Sequence, residues 1–109
     1  MATALERNSA LTELDLGQNT ADGDLLATPM ANLLRHATSL QRLDLRYCGM
    51  SDVGASILAA TFEHNVSLRL LDVRYNRVDF AGAKALAVGL GKNATSLRVL
   101  VKANALSDQ

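Results

Sequence analysis

Two arginine–tyrosine pairs, Arg46-Tyr47 and Arg74-Tyr75, and three aspartates, Asp15, Asp44 and Asp72, carry most of the chemistry this chain offers. Arg and Tyr are the residue types in which binding energy concentrates at protein interfaces. Each pair begins two residues after an aspartate, so acidic and basic groups recur together, a pattern suited to charge-complementary docking. Carboxylates also attract hard cations, but three of them along a line do not wrap an ion, and no metal is expected. The candidates for catalysis are few. Cys48 stands at a recurring turn position, and His36 and His64 each lie four residues before a recurring leucine, so the repeat explains all three. No glycine-rich phosphate loop, zinc-ligand spacing or nucleophile motif is present, so no catalytic residue and no cofactor is assigned.

The elements that position these residues come from a repeat. Leu11-Thr12-Glu13-Leu14-Asp15-Leu16-Gly17-Gln18-Asn19 returns as Leu40 to Cys48 and again as Leu68 to Asn76. The opening leucines Leu11, Leu40, Leu68 and Leu97 stand 29, 28 and 29 residues apart. Self-similarity at this period marks a solenoid, which builds surfaces rather than deep pockets. The first half of each repeat alternates apolar and polar, as in Leu43-Asp44-Leu45-Arg46, the period of a half-buried strand. The second half changes to helical spacing, with Ala55, Leu58, Ala59 and Phe62 in one copy and Ala83, Leu86, Ala87 and Leu90 in the next. One strand and one helix in tandem predict a parallel sheet backed by helices on its other side.

These residues resemble the leucine-rich repeat, through L-x-x-L-x-L-x-x-N/C, then Gly-Ala-x-x-Leu-Ala, then Asn-x-(x)-Ser before the next Leu. The period and the full helix resemble the ribonuclease-inhibitor-like subclass. The resemblance implies an α/β solenoid, a right-handed β-α superhelix with a short parallel sheet on the concave face and helices on the convex face. It also implies that Asn19, Cys48 and Asn76 tie down the turn after each strand. On that frame the domain is single over 1–109. Residues 1–10 are the tail of a preceding repeat helix, 11–39 repeat 1 with an irregular helix, 40–67 repeat 2, 68–96 repeat 3, and 97–109 a partial repeat 4.

The departures from the pattern carry expectations of their own. Thr28-Pro29 reads as an N-cap followed by proline at the first helical position, which predicts a late, short first helix after a loop over 21–27. The segment Leu97 to Asn104 is one residue shorter than its counterparts. A slip of one residue reverses every side chain. Burying Val99 and Val101 costs less than burying Lys102, so the register counted back from Asn104 is expected. The chain opens inside a repeat's helix and stops before the next one. It reads as a piece of a longer array, or as a small protein that self-associates through uncapped ends.

Equivalent positions on a parallel ladder stack about 4.8 Å apart, so outward columns follow from the sequence. They are Glu13, Arg42, Leu70; then Asp15, Asp44, Asp72; then Gly17, Arg46, Arg74, beside Gln18, Tyr47, Tyr75. Stacked aspartates repel, and Arg46 and Arg74 on the same face are the expected compensation. The expected protein-binding set is Arg42, Asp44, Arg46, Tyr47, Arg69, Asp72, Arg74 and Tyr75. The aspartates also serve the repeat itself.

Composition bounds the rest. With 109 residues, 11 basic and 11 acidic, the chain has no net attraction to nucleic acid or anionic lipid. The arginines Arg42, Arg46, Arg69, Arg74 and Arg98 are nearly balanced by Glu13, Asp15, Asp44 and Asp72. The single cysteine and the charged N-terminal segment point to a cytoplasmic protein, with no membrane span. The glycosylation patterns Asn65-Val66-Ser67 and Asn93-Ala94-Thr95 share one repeat position, which accounts for them without a glycan. The expected function is a non-enzymatic protein-interaction module binding a protein partner on its concave face. Ran GTPase-activating proteins and the tropomodulin carboxy-terminal domain are similar in repeat subclass. That resemblance implies, as alternatives, regulation of a GTPase or of actin filaments, beside a self-associating scaffold fragment.

Overall fold

A computed structural model describes residues 12–17, 23–36, 39–93, 97–102 and 104. In chain order the elements are β1 (Glu13–Asp15), α1 (Gly23–His36), β2 (Arg42–Asp44), α2 (Asp52–Ala59), β3 (Leu70–Asp72), α3 (Phe80–Lys92) and β4 (Arg98–Leu100). The strands form one parallel sheet in the order β1-β2-β3-β4. Leu14, Leu43, Leu71 and Val99 stand in register on the inward side. The recurring leucines thus converge on one core, with Leu43, Leu45, Leu68 and Leu71 essentially inaccessible to solvent. Each strand is short, and the backbone ladder runs on past it. Leu16, Leu45 and Val73 donate to the carbonyls of Asp44, Asp72 and Leu100 at 2.8–3.0 Å.

The fourth strand takes the register counted from Asn104. Leu71 pairs with Val99 and Asp72 with Leu100, which turns Val99 inward and leaves Leu100 in the aspartate column. The anchor is the Asn104 amide, which accepts from the Val78 N–H and donates to the Val73 and Val101 carbonyls.

The first helix differs from the expected late start. It runs 14 residues with Pro29 inside it, so residues 23–27 belong to the helix. Interior proline breaks one hydrogen bond, here the one due to the Leu25 carbonyl, and Leu25 lies on the solvent side. Two contacts outweigh that local cost. Ala27 is fully buried, and the Asp24 carboxylate accepts from the Ser51 and Gly54 N–H groups and the Ser51 hydroxyl. Asp24 therefore serves the open N–H groups at the start of α2, which favour an anion. Asp52 repeats the arrangement by accepting from the Asp79 N–H at 2.7 Å. This is why glycine stands at the start of α2 and α3. A Cβ on Gly54 would lie 2.5 Å from the Asp24 Oδ1, and one on Gly82 2.5 Å from the Asp52 Oδ1.

The helical face read for repeat 2 is buried as expected, through Ala55, Leu58, Ala59 and Phe62. In repeat 3 Leu86 is buried, but Ala87 is exposed. Ala59, at the offset of Ala87, is covered by the next helix, whose Gly89 comes so close that a Cβ there would lie 2.6 Å from the Ala59 carbonyl. No described helix follows α3 to cover Ala87 in the same way.

Candidate functional site

The first three strands each end in an aspartate whose side chain folds back on the turn. The Asp15, Asp44 and Asp72 Oδ1 atoms accept from the N–H two residues on, at Gly17, Arg46 and Arg74, over 2.8–3.1 Å. Such Asx turns shape the backbone locally, which gives the aspartate column a structural role. The same carboxylates hold the arginines. Arg46 donates from Nε and Nη2 to Asp44, and Arg74 does so to Asp72, each with an Nη2–Oδ2 distance of 2.8 Å. The Arg46 Nε also lies 3.5 Å from the Asp72 Oδ2, linking the two repeats.

The electrostatics follow from this geometry. Burial pushes the Asp44 carboxyl up, but hydrogen bonds from the Arg46 side chain and backbone, with the charges of Arg46 and Arg74, hold it below its usual range. Arg46 is raised by its hydrogen bond and charge contact with Asp44, with Asp72 and Asp15 adding to the effect. Arg74 is raised chiefly by its hydrogen bond to Asp72. The guanidiniums are thus fixed in place before any partner arrives.

Tyr47 and Tyr75 follow directly. Their rings stack at a centroid distance of 4.6 Å and an interplanar angle of 7°, and both are two-fifths exposed or more. Both residues have left-handed backbone, with φ of 57° and 61°. That conformation costs a non-glycine residue about 1–2 kcal/mol, part of which the ring pair returns at about 0.5–1.5 kcal/mol. The turn sends the rings to the rim of the sheet, beside the guanidiniums. Sequence reasoning placed the tyrosines in one column but missed the backbone conformation, since no glycine or asparagine marks it.

The other expected residues are less tightly gathered. Arg42 pairs with Glu13 at 3.5 Å, with both side chains more than 60% exposed, a contact of small energetic weight. Arg69 precedes β3 and donates its N–H to the Gln41 carbonyl, at the opposite end of the strand from the Arg74-Tyr75 turn. Asn19 and Gln18 lie outside the described residues.

Asn76 is buried and holds the turn from both sides. Its Oδ1 accepts from the Cys48 and Met50 N–H groups, and its Nδ2 donates to the Leu45 and Val73 carbonyls. Cys48 supplies only a thiol there, 3.3 Å from the Leu16 carbonyl, and is fully buried. A second asparagine ladder lies between helix and strand. The Asn65 amide donates to the Leu34 carbonyl and accepts from the Ser67 and Leu68 N–H groups, while Asn93 donates to the Phe62 carbonyl. Asn65 is buried, so its amide serves the fold. His36 closes α1 with Nδ1 2.9 Å from the Asn32 carbonyl, and the His64 Nε2 lies 3.7 Å from Glu63. Among the described residues no three His, Cys, Asp or Glu side chains could hold a metal ion, and no helix is long and apolar enough to cross a membrane.

Shallow hollows accompany these groups on the concave face. One of about 330 Å³ is bounded by Glu13, Asp15, Arg42, Asp44, Leu70 and Asp72, and one of about 200 Å³ by Asp15, Gly17, Arg46 and Tyr47. They suit side chains of a partner better than a small molecule, which calls for a more enclosed and apolar site.

Residues 36–59 and 64–87 match the family described as Leucine Rich repeat. No curated protein matches the sequence. A solved structure titled Leiomodin-1 Actin-Binding Site 2 has a TM-score of 0.82 and 18% identity, over 91% of this chain and 57% of that one. The tropomodulin C-terminal domain of Caenorhabditis elegans has a TM-score of 0.83 and 18% identity, over 97% and 64%. The chain spans less than two thirds of the length of either structure, and at this identity the likeness is one of fold. With four parallel strands in leucine register, helices behind them and the Asn76 and Asn104 amides holding the turns they reach, the chain has the leucine-rich-repeat fold, and two stretches of it match that family.

Proposed function

We propose that this chain is a non-enzymatic protein-interaction module whose contact surface is the concave face and its tyrosine rim. The observation that supports this best is the stacked Tyr47–Tyr75 pair beside Arg46 and Arg74, each arginine already oriented by an aspartate. Side chains held before binding lose less freedom on binding, so more of the contact energy remains as affinity. Arg42, Asp44 and Asp72 set charge complementarity, and Arg69 stands at the far end of the same strand. The single buried thiol suits a reducing, cytoplasmic setting.

The test is affinity capture with the wild type, Arg46→Glu with Arg74→Glu, Tyr47→Ala with Tyr75→Ala, and a convex-face control, Val53→Glu. A specific partner should weaken by about 30-fold or more in the tyrosine variant, the loss of about 2 kcal/mol expected of an interface hot spot. Partners that survive both concave variants and vanish with Val53→Glu would move the surface to the helices.

A second reading has its own support, because one structural neighbour is titled an actin-binding site. On this reading the partner is actin. Cosedimentation with filaments and subunit exchange at their pointed ends test it, and silence in both assays leaves the general binder.

A further inference from the structure

The turns after β2 and β3 present donors to solvent, although their formal charges balance. Each aspartate lies deeper than its arginine: the Asp44 and Asp72 side chains are 23% and 10% exposed, against 38% and 32% for Arg46 and Arg74. The carboxylate oxygens are also occupied. Those of Asp44 accept from the Arg46 N–H, Nε and Nη2, and those of Asp72 from the same groups of Arg74. The arginines are not used up in this way. Both bond through Nε and Nη2, and neither Nη1 group has a partner among the described residues. These open N–H groups stand one ladder step apart, about 4.8 Å. The next step tips the charge. The register sets Leu100 beside Asp72, and the Tyr75 N–H donates to the Lys102 carbonyl, so Lys102 continues the column of Arg46 and Arg74. Lys102 is exposed, and Leu100 stands where an aspartate lies under each arginine. Three cations therefore share two carboxylates over these steps. Asp15 lies on the other side, bounding a hollow with Gly17, Arg46 and Tyr47.

We propose that the partner segment engaged by this face carries a carboxylate side chain, which seats across the open N–H groups of Arg46 and Arg74 on the side away from Asp15. This rests on the concave-face reading and adds the chemistry of the ligand to it. A carboxylate offers two acceptor oxygens in one plane, one for each guanidinium, and hydrogen bonds between ionised groups are the strong ones. The aspartates beneath already hold the guanidiniums, so seating the acid orders little that is not ordered beforehand. The residue next to the acid lies against the Tyr47–Tyr75 ring pair. A singly charged group suits the seat better than a phosphate, because Asp44 and Asp72 oppose a second negative charge. Lys102 adds attraction from one step away, which salt screens.

A displayed library of random peptides, selected against the full chain, supplies the probes. Peptides whose binding is lost in Tyr47→Ala with Tyr75→Ala should share an acidic residue next to an aromatic or branched apolar one. In a synthetic copy of such a peptide, replacing the acid by its amide should raise the dissociation constant about ten-fold. Phosphoserine in its place should not tighten binding. Lys102→Glu, at an exposed position, should weaken the acidic peptide about three-fold and leave the amide peptide unchanged. Raising the salt concentration should separate the two peptides in the same way. Arg74→Lys keeps the charge and loses the planar fork, so it should cost the acidic peptide more than the amide one. Peptides that need the tyrosines but bind equally well as amides would overturn the carboxylate seat and leave the concave-face reading standing. Tighter binding of phosphoserine, or equal weakening of both peptides by Lys102→Glu, would also overturn the seat. A library that yields no peptide dependent on the tyrosines would overturn the concave-face reading and this inference with it.

Discussion

Replacing Asn76 by alanine should cost this chain a large part of its stability, because one amide serves two adjoining turns. Its Oδ1 is the acceptor for the buried Cys48 and Met50 N–H groups at 3.0 and 2.9 Å, and its Nδ2 reaches the Leu45 carbonyl at 2.8 Å. The Val73 carbonyl would still have the Asn104 amide at 2.9 Å. Two buried donors and the Leu45 carbonyl are therefore stranded, at about 1–3 kcal/mol for each buried group, and the part-buried Arg74 carbonyl loses its 3.2 Å contact as well. Allowing for partial rescue by water, the loss is about 4 kcal/mol, set against about 5–15 kcal/mol for a domain of this size. Followed by circular dichroism in urea, with a slope near 2 kcal/mol per molar, the midpoint should fall by about 2 M. Cys48→Ala removes one weak thiol donor, 3.3 Å from the Leu16 carbonyl and 3.5 Å from that of Arg46, and should cost about 1 kcal/mol. Asn76→Cys keeps a donor and loses the acceptor, so it should lie close to Asn76→Ala. A shift below about 0.5 M for Asn76→Ala, or a Cys48→Ala loss as large as the asparagine's, would refute the reasoning.

Other outcomes follow from the same geometry. Gly82→Ala drives a Cβ to 2.5 Å from Asp52 Oδ1 and 3.0 Å from the Asp52 Cα, and should destabilise by about 1–3 kcal/mol in thermal unfolding. Gly91→Ala, with nothing within 4 Å of the new Cβ, should instead stabilise by about 0.5–1 kcal/mol. Burial raises the Asp24 carboxyl, but its hydrogen bonds from Ser51 and Gly54 and the charge of Arg77 hold it lower overall, as the arginines do for Asp44. A lowered folded-state pKa gives stability that is fully present above the unfolded-chain value near 4 and is lost as pH falls through the lower one. Urea midpoints should thus be flat above about pH 5 and drop on acidification, with a shallower acid limb in Asp24→Asn. Tyr47→Ala should remove the near-ultraviolet signature of coupled rings while shifting the midpoint little, since loss of the ring pair and relief of ring crowding at a left-handed residue act in opposite directions.

Legibility in the sequence followed how local each cause was. Strand positions and inward leucines could be read directly because the repeat copies agree residue by residue. Asn104 fixed the last strand because its turn role is set by the same offset as Asn76. The start of α1 could not be read that way. Proline argues locally for a break at Pro29, and the opposing causes are tertiary: Ala27 in the core, and Asp24 seated on the start of α2. Ala87 was misplaced for a related reason, since periodicity states which face a residue shares but not whether a neighbouring helix covers it. At the site, the pairing of Arg46 and Arg74 with the aspartates was visible as charge two residues apart on one face. The left-handed tyrosines were not, because the backbone is imposed by the Asx turn before them and the asparagine or cysteine after them.

Recognition through the tyrosine rim, as proposed, can be tested directly. The chain holds two tyrosines and no tryptophan, so fluorotyrosine incorporation places both fluorine signals at the site and nowhere else. Fluorine NMR during titration with a captured partner, actin first, should shift or broaden both resonances at the stoichiometry of binding. A partner shown by sedimentation to be bound while both resonances stay unchanged would contradict the account.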